Sequence, residues 1–142
     1  MSAPLLSVRN LVTEFRTDHG ALRAVDDVSF DIPAGATLGV VGESGCGKSV
    51  TSLSILRLIQ APGRVAAGQV LFEGRDLLTL PEASMRAVRG ARIAMIFQDP
   101  MGTLNPVVRI ESQMIEAIQY HEPVSHARAL ERAREALGRV GI

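Results

Sequence analysis

The chain has 142 residues, 46% of them apolar and 21% charged, which is enough for one ordinary domain with a sizeable core and too apolar for intrinsic disorder. Fifteen basic and fifteen acidic residues cancel, which excludes the basic footprint of a nucleic-acid binder and any strong pull toward an anionic membrane. The single cysteine, Cys46, excludes an intrachain disulfide, the opening MSAPLLSVRN lacks the pattern of a secretory leader, and no apolar run approaches the length of a membrane span, so a soluble, cytoplasmic chain is expected.

Residues 5 to 16 read as extended, and TDHG (17 to 20) as the turn into a second extended segment. There, Val28, Phe30 and Ile32 alternate with Asp27, Ser29 and Asp31, the period of two that marks a strand with one buried face. The first third is therefore expected to be a small antiparallel β region, broken by IPAG (32 to 35). ATLGVV (36 to 41) predicts a short buried strand, because it has so little polar character. After a glycine loop, Leu53, Ile55, Leu56 and Ile59 predict a helix running to QAPG (60 to 63). Residues 69 to 73 predict another strand, with EGRD (73 to 76) turning the chain. TLPE (79 to 82) fits a capping box at the start of a helix that Gly90 stops. RIAMIF (92 to 97) predicts a second buried strand. QDPMGTLNP (98 to 106), with two prolines and a glycine, predicts an irregular loop. Residues 110 to 121 and 126 to 140 predict two helices. In the second, Ser125 is the N-cap and Leu130, Ala133, Leu137 and Val140 fall on one face.

The chemistry concentrates in GESGCGKS (42 to 49). It fits G-x-x-x-x-G-K-[ST], with Gly42, Gly47, Lys48 and Ser49 at the fixed positions. Glycines allow positive φ and put no Cβ in the way, so successive backbone N–H groups can converge on a phosphate. The helix that follows adds its positive end. Lys48 is the only lysine among fourteen arginines. A compact ammonium on a flexible stem suits a closed phosphate cradle, whereas the wide arginine fork does not. The Ser49 hydroxyl can serve Mg²⁺. A glycine-rich turn that matches by chance is the competing reading, and the strand before and helix after weigh against it. Cys46 reads as a small residue tolerated in the loop, with a thiol activated by the helix end as the alternative. His19, His121 and His126 show no ligand spacing. Asp99, at the end of the 92 to 97 run, could be read as a metal carboxylate, but Gln98 intervenes and the prolines argue for a projecting loop.

VGESGCGKSVTSLSILRLI and RIAMIFQDPMGTLNP, with LLSVRNLVTEFRT and AVDDVSFDIPAG before them, resemble the ATP-binding subunits of ABC transporters. The oligopeptide, dipeptide and nickel importer group is the most similar, and FQDPM-x-x-LNP makes that assignment specific. The resemblance covers essentially the whole chain. It implies an α/β fold, the P-loop nucleotide-hydrolase core of an ABC ATPase. An N-terminal antiparallel β subdomain (1–35) would precede a phosphate-loop core with its glutamine loop (36–106) and the start of a helical subdomain (107–142). It implies that Gly42, Glu43, Ser44, Gly45, Cys46, Gly47, Lys48 and Ser49 hold the phosphates of ATP. Val50 completes the implied nucleotide-binding set, where many members carry a second hydroxyl. Phe15 would stack on adenine with Val25 packing nearby. Lys48 and Gln98 would act in catalysis, and Ser49 and Gln98 on Mg²⁺. The implied partners are transmembrane permease subunits, a second ATP-binding subunit and, indirectly, a solute-binding protein, with no nucleic acid. The location would be the cytoplasmic face of the membrane, held there through the permease. No LSGGQ-like signature occurs and no apolar strand ending in Asp-Glu follows residue 106. The expectation is thus the N-terminal, truncated part of a longer subunit, which binds ATP without efficient turnover. A non-transport P-loop ATPase or a small-molecule kinase is the alternative, and an idle chain that competes for partners is a third reading.

Overall fold

The computed structural model describes residues 3–98, 102 and 104–142. Two compact units divide it, Met1–Arg86 and Ala87–Ile142.

The first unit is built on a four-stranded antiparallel sheet. Strands β1 (Leu6–Thr17), β2 (Gly20–Ile32), β3 (Gly63–Phe72) and the two-residue β4 (Arg75–Asp76) lie in the order β2-β1-β3-β4. The expected TDHG turn closes the β1–β2 hairpin with Thr17 opposite Gly20. Thr17 Oγ1 donates to Gly20 O at 2.7 Å and accepts from His19 N at 3.3 Å, which fixes the two-residue turn locally. The hairpin carries a bulge: the register shifts between Val8 and Leu11, where Asn10 and Asp27 take left-handed φ of 46° and 56°. Asn and Asp tolerate that region because their short side chains can bond locally. Here Asn10 Nδ2 donates to Asp27 Oδ1 at 2.7 Å. Val28, Phe30 and Ile32 are half-buried while Asp27, Ser29 and Asp31 are exposed, as the alternation predicts. Two ion pairs link neighbouring strands, Arg9 to Asp31 and Arg64 to Glu14, each at 2.7 Å.

Helix α1 (Lys48–Ile55) packs on this sheet and contributes Ile55 and Ser54 to the interior with Val8, Leu11, Val25 and Val70. It ends earlier than its apolar pattern predicts. Arg57 turns to φ 53° and Leu58 N donates back to Leu53 O at 2.8 Å, so the chain leaves the helix by a left-handed turn. The strand predicted over 69 to 73 begins already at Gly63 and pairs with β1 along its length. The residues of TLPE divide between two elements. Thr79 Oγ1 donates to Asp76 O at 3.0 Å, because Thr79 closes a 3-10 turn (Leu77–Thr79) that Asp76 caps through Leu78 N. Helix α2 (Glu82–Val88) starts three residues later.

The second unit contains α3 (Ile110–His121) and α4 (His126–Arg139), whose limits lie within one residue of the prediction. Ser125 caps α4 by accepting from Arg128 N at 3.3 Å. Ala129 and Ala133, one turn apart, are buried with Ile115 of α3, since small side chains at i and i+4 let two helices approach closely. Arg132 of α4 pairs with Glu122 just after α3. Gln113 holds the segment before α3: it accepts from Asn105 N at 3.0 Å and donates to Asn105 O and Val108 O at 3.0 and 2.8 Å. In the predicted loop 98–106, residues 99, 100, 101 and 103 lie outside the described ones, including Asp99. The described residues of that loop belong to no helix or strand.

Two predicted strands are not formed. Neither ATLGVV (36 to 41) nor RIAMIF (92 to 97) forms a strand; the one ladder contact there is an isolated bridge from Ile93 to Arg89. Val41 is 92% and Ile96 96% exposed. A strand exists only through a neighbour that takes its hydrogen bonds, and neither run has one among the described residues.

Candidate functional site

The GESGCGKS loop lies in the first unit and runs from the irregular 36–41 segment into the first turn of α1. Gly47 is the N-cap of α1, with φ 94°, and no side chain caps the first-turn N–H groups. Those donors therefore stay available at the positive end of the helix. Only glycine serves at this position. A Cβ there would come within 2.2 Å of Ala24 O, besides the left-handed φ. The same contact seats the loop on β2, because the other near neighbours of that point are Ala24 C at 3.4 Å and Val25 Cγ2 at 3.8 Å. Val25, expected beside the nucleotide, is thus brought against the loop and is buried.

Lys48 folds back over the loop. Its ammonium donates to Gly42 O at 2.7 Å, to Glu43 O at 2.6 Å and to Cys46 Sγ at 3.3 Å. The lysine's three donors are thereby spent on closing the loop around itself. Gly42 makes this closure possible: a Cβ would lie 2.6 Å from Cys46 Sγ and 3.9 Å from the ammonium. Cys46 is exposed, and Cys46 N donates to Glu43 O at 3.4 Å. Ser44, Gly45 and Ser49 are exposed, and Val50 is half-buried.

Phe15, on β1, is half-buried. Its ring lies over the backbone of β3, with Cε1 2.5 Å from where a Gly63 Cβ would be. The structure thus brings Val25, Gly42, Glu43, Cys46, Gly47 and Lys48 together, and places Phe15 in the same unit. Gln98 is exposed and belongs to the second unit.

Sequence reasoning missed Thr13 and Ser54. Both are fully buried, with their hydroxyl oxygens 2.7 Å apart, and they join β1 to the helix that carries the loop. The pair is separated by 41 residues, so no local pattern announces it.

Among the described residues no group of three or more His, Cys, Asp or Glu could hold a metal ion. No helix there is long and apolar enough to cross a membrane.

The sequence model of the ABC transporter family matches residues 25–142. The chain is 53% identical over 139 residues to the "Probable peptide ABC transporter ATP-binding protein y4tR" of Sinorhizobium fredii, covering 97% of this chain and 42% of that protein. It is 48% identical to the oligopeptide transport ATP-binding protein OppD of Bacillus subtilis, again over 97% of this chain and 39% of the relative. The chain thus spans about two-fifths of the length of these curated relatives. Among solved structures, the dimeric ABC transporter cassette MJ0796 superposes with a TM-score of 0.81 at 20% identity, covering 94% of this chain and 56% of that one. The family match, these relatives and the shared fold agree: the chain belongs to the ABC transporter family, with the α/β fold of its ATP-binding cassettes.

Proposed function

We propose that this chain is the phosphate-binding part of an ATP-binding subunit that powers import of peptides or a related small solute. The observation that carries this is the Lys48 ammonium, held over an uncapped helix start by the carbonyls of Gly42 and Glu43. A loop that satisfies its own lysine with carbonyl oxygens is ready to exchange them for phosphate oxygens, which are stronger acceptors for an ammonium. The residues fit the group. The glycines at 42, 45 and 47 leave the loop without Cβ bulk, and α1 presents its unshared N–H donors.

In this reading Lys48 places its charge on the β- and γ-phosphates, and the amides of residues 43 to 49 bind and orient them. In the assembled protein the Ser49 hydroxyl, in the first turn of α1, and Gln98 would be the protein ligands for Mg²⁺, which would offset charge on the phosphates. Phe15 supports the adenine, and Val25 holds the loop against β2. Bound Mg-ATP would supply the phosphoryl group whose transfer is coupled to transport. Gln98 would orient the attacking water in the assembled protein.

The whole subunit would pair with a second ATP-binding subunit and dock on permease subunits at the cytoplasmic face, with a solute-binding protein as an indirect partner. The three-part organisation, 1–35, 36–106 and 107–142, belongs to the same reading. No signature sequence and no apolar run ending in Asp-Glu occurs in these residues. The chain therefore binds Mg-ATP and releases negligible phosphate by itself. Equilibrium dialysis with Mg-ATP, paired with a colorimetric phosphate assay, tests this: bound nucleotide without phosphate release is expected. Turnover that Lys48→Ala abolishes would overturn it.

A further inference from the structure

Thr13 and Ser54 are fully buried polar residues on the two elements that meet beneath the candidate site. Ser54 Oγ donates to Val50 O at 2.6 Å. A serine hydroxyl has one hydrogen, so the 2.7 Å contact between the two oxygens is a bond that Thr13 donates and Ser54 accepts. The chain of bonds runs from β1 to Ser54 and on to the backbone of α1 at Val50, two residues past Lys48.

Thr13 also sits where β1 changes register. The pairing with β2 shifts on both sides of it, and the pairing with β3 shifts between Val12 and Thr13. At such a point the ladder defines the strand's position least, and a side-chain bond can set it. Two residues further along β1 is Phe15. Opposite Thr13 on β2 is Val25, the residue on which the Gly47 end of α1 rests. Helix α1 is therefore fastened to the sheet twice, at Gly47 through Ala24 and Val25, and at Ser54 through Thr13. Ser54 lies six residues after Lys48, about 9 Å along the helix axis. The two attachments, at Gly47 and Ser54, are seven residues or about 10 Å apart, which fixes the helix's direction as well as its position.

We propose that Thr13 and Ser54 are positioning residues for nucleotide, setting the offset between the adenine-bearing strand at Phe15 and the phosphate loop at Lys48. This rests on the nucleotide-site reading above. Its signature is selective. A ligand that touches only the loop is indifferent to the offset, whereas one that spans loop and strand requires it.

The test compares Mg-ATP with magnesium tripolyphosphate, which lacks base and sugar, by isothermal titration calorimetry on the intact protein. Thr13→Val removes the hydroxyl at nearly constant volume and leaves the bond from Ser54 to Val50 in place. It is expected to weaken ATP about tenfold, the scale of one buried hydrogen bond, and tripolyphosphate by less than about twofold. Thr13→Ser, which keeps the donor, is expected to restore ATP affinity. The stoichiometry of each titration reports the folded fraction, and Ser54→Ala provides a second variant should Thr13→Val fold poorly. Equal weakening of both ligands, or unchanged ATP affinity, overturns the proposal while leaving the phosphate site intact. Wild-type affinity of Lys48→Ala for both ligands overturns the phosphate site itself, and the positioning role with it.

Discussion

Two kinds of apolar strand sequence occur in this chain, and they meet opposite fates. β1, β2 and β3 are laddered, and bury Val8, Leu11, Val25 and Val70 almost completely. Residues 36 to 41 and 92 to 97 are as apolar, yet take no strand, with Val41 and Ile96 open to solvent. The difference lies in where the partners come from. β2 finds β1 across a two-residue turn, and β3, though distant in sequence, supplies β1's other edge, so each of these strands has a neighbour among the described residues. A continuous apolar run suits a strand flanked on both sides, as in a parallel sheet, and such neighbours come from distant parts of a sequence. Hydrophobicity supplies the reason to be buried, while pairing supplies the strand.

The contrast is sharpest in substitutions that remove the same kind of bulk from each region. Leu11→Ala, at a fully buried position, is expected to cost about 3 kcal/mol of stability in urea denaturation, whereas Ile96→Ala, 96% exposed, should change it by less than about 0.5 kcal/mol. Equal costs would mean that the 92 to 97 run is packed after all. Next in size is Gly47→Ala, where a methyl group would meet the Ala24 carbonyl. A loss of about 2–3 kcal/mol is expected from overpacking and left-handed strain, together with weakened nucleotide binding. A neutral result would show that the loop is not seated on β2. Smaller still is the Arg64–Glu14 pair between β1 and β3. Its arginine is 68% exposed, so Arg64→Ala should cost at most about 1 kcal/mol.

Acid provides the last and weakest test of the paired region. The hydrogen bond from Arg9, then that from Ser7, hold the Asp31 carboxyl below its ordinary range. A carboxyl lowered by folding contributes stability at neutral pH and loses it as pH falls through the folded-state value. Asp31→Asn should therefore flatten a small part of the acid limb in thermal melts between neutral and strongly acidic pH. An acid limb identical to wild type would remove this pair from the account.

What the sequence made legible follows the same division. The TDHG turn, the alternation at 27 to 32, and α3 and α4 with Ser125 as cap were readable because the forces that set them act within a few residues. The family was readable because glycines and one lysine at fixed spacing, with the FQDPM-x-x-LNP stretch, have few other uses. The early end of α1 was not, since the apolar period continues past the left-handed turn at Arg57. The 3-10 turn that Asp76 caps just before 79 to 82 was not read either, because it is only three residues long. The Thr13–Ser54 bond could not be read at all. It is long-range, and each residue alone looks like a polar interruption in an apolar element.

The central claim is that Lys48 and the amides around it receive a polyphosphate. Calorimetric titration of Mg-ATP into folded wild-type protein, set beside Lys48→Ala, tests it most directly. Saturable heat with wild type and affinity lowered by about 100-fold in the variant is expected, the scale for losing a charge-assisted contact of this kind. No heat with the folded wild type, or equal affinity in the two proteins, would contradict it.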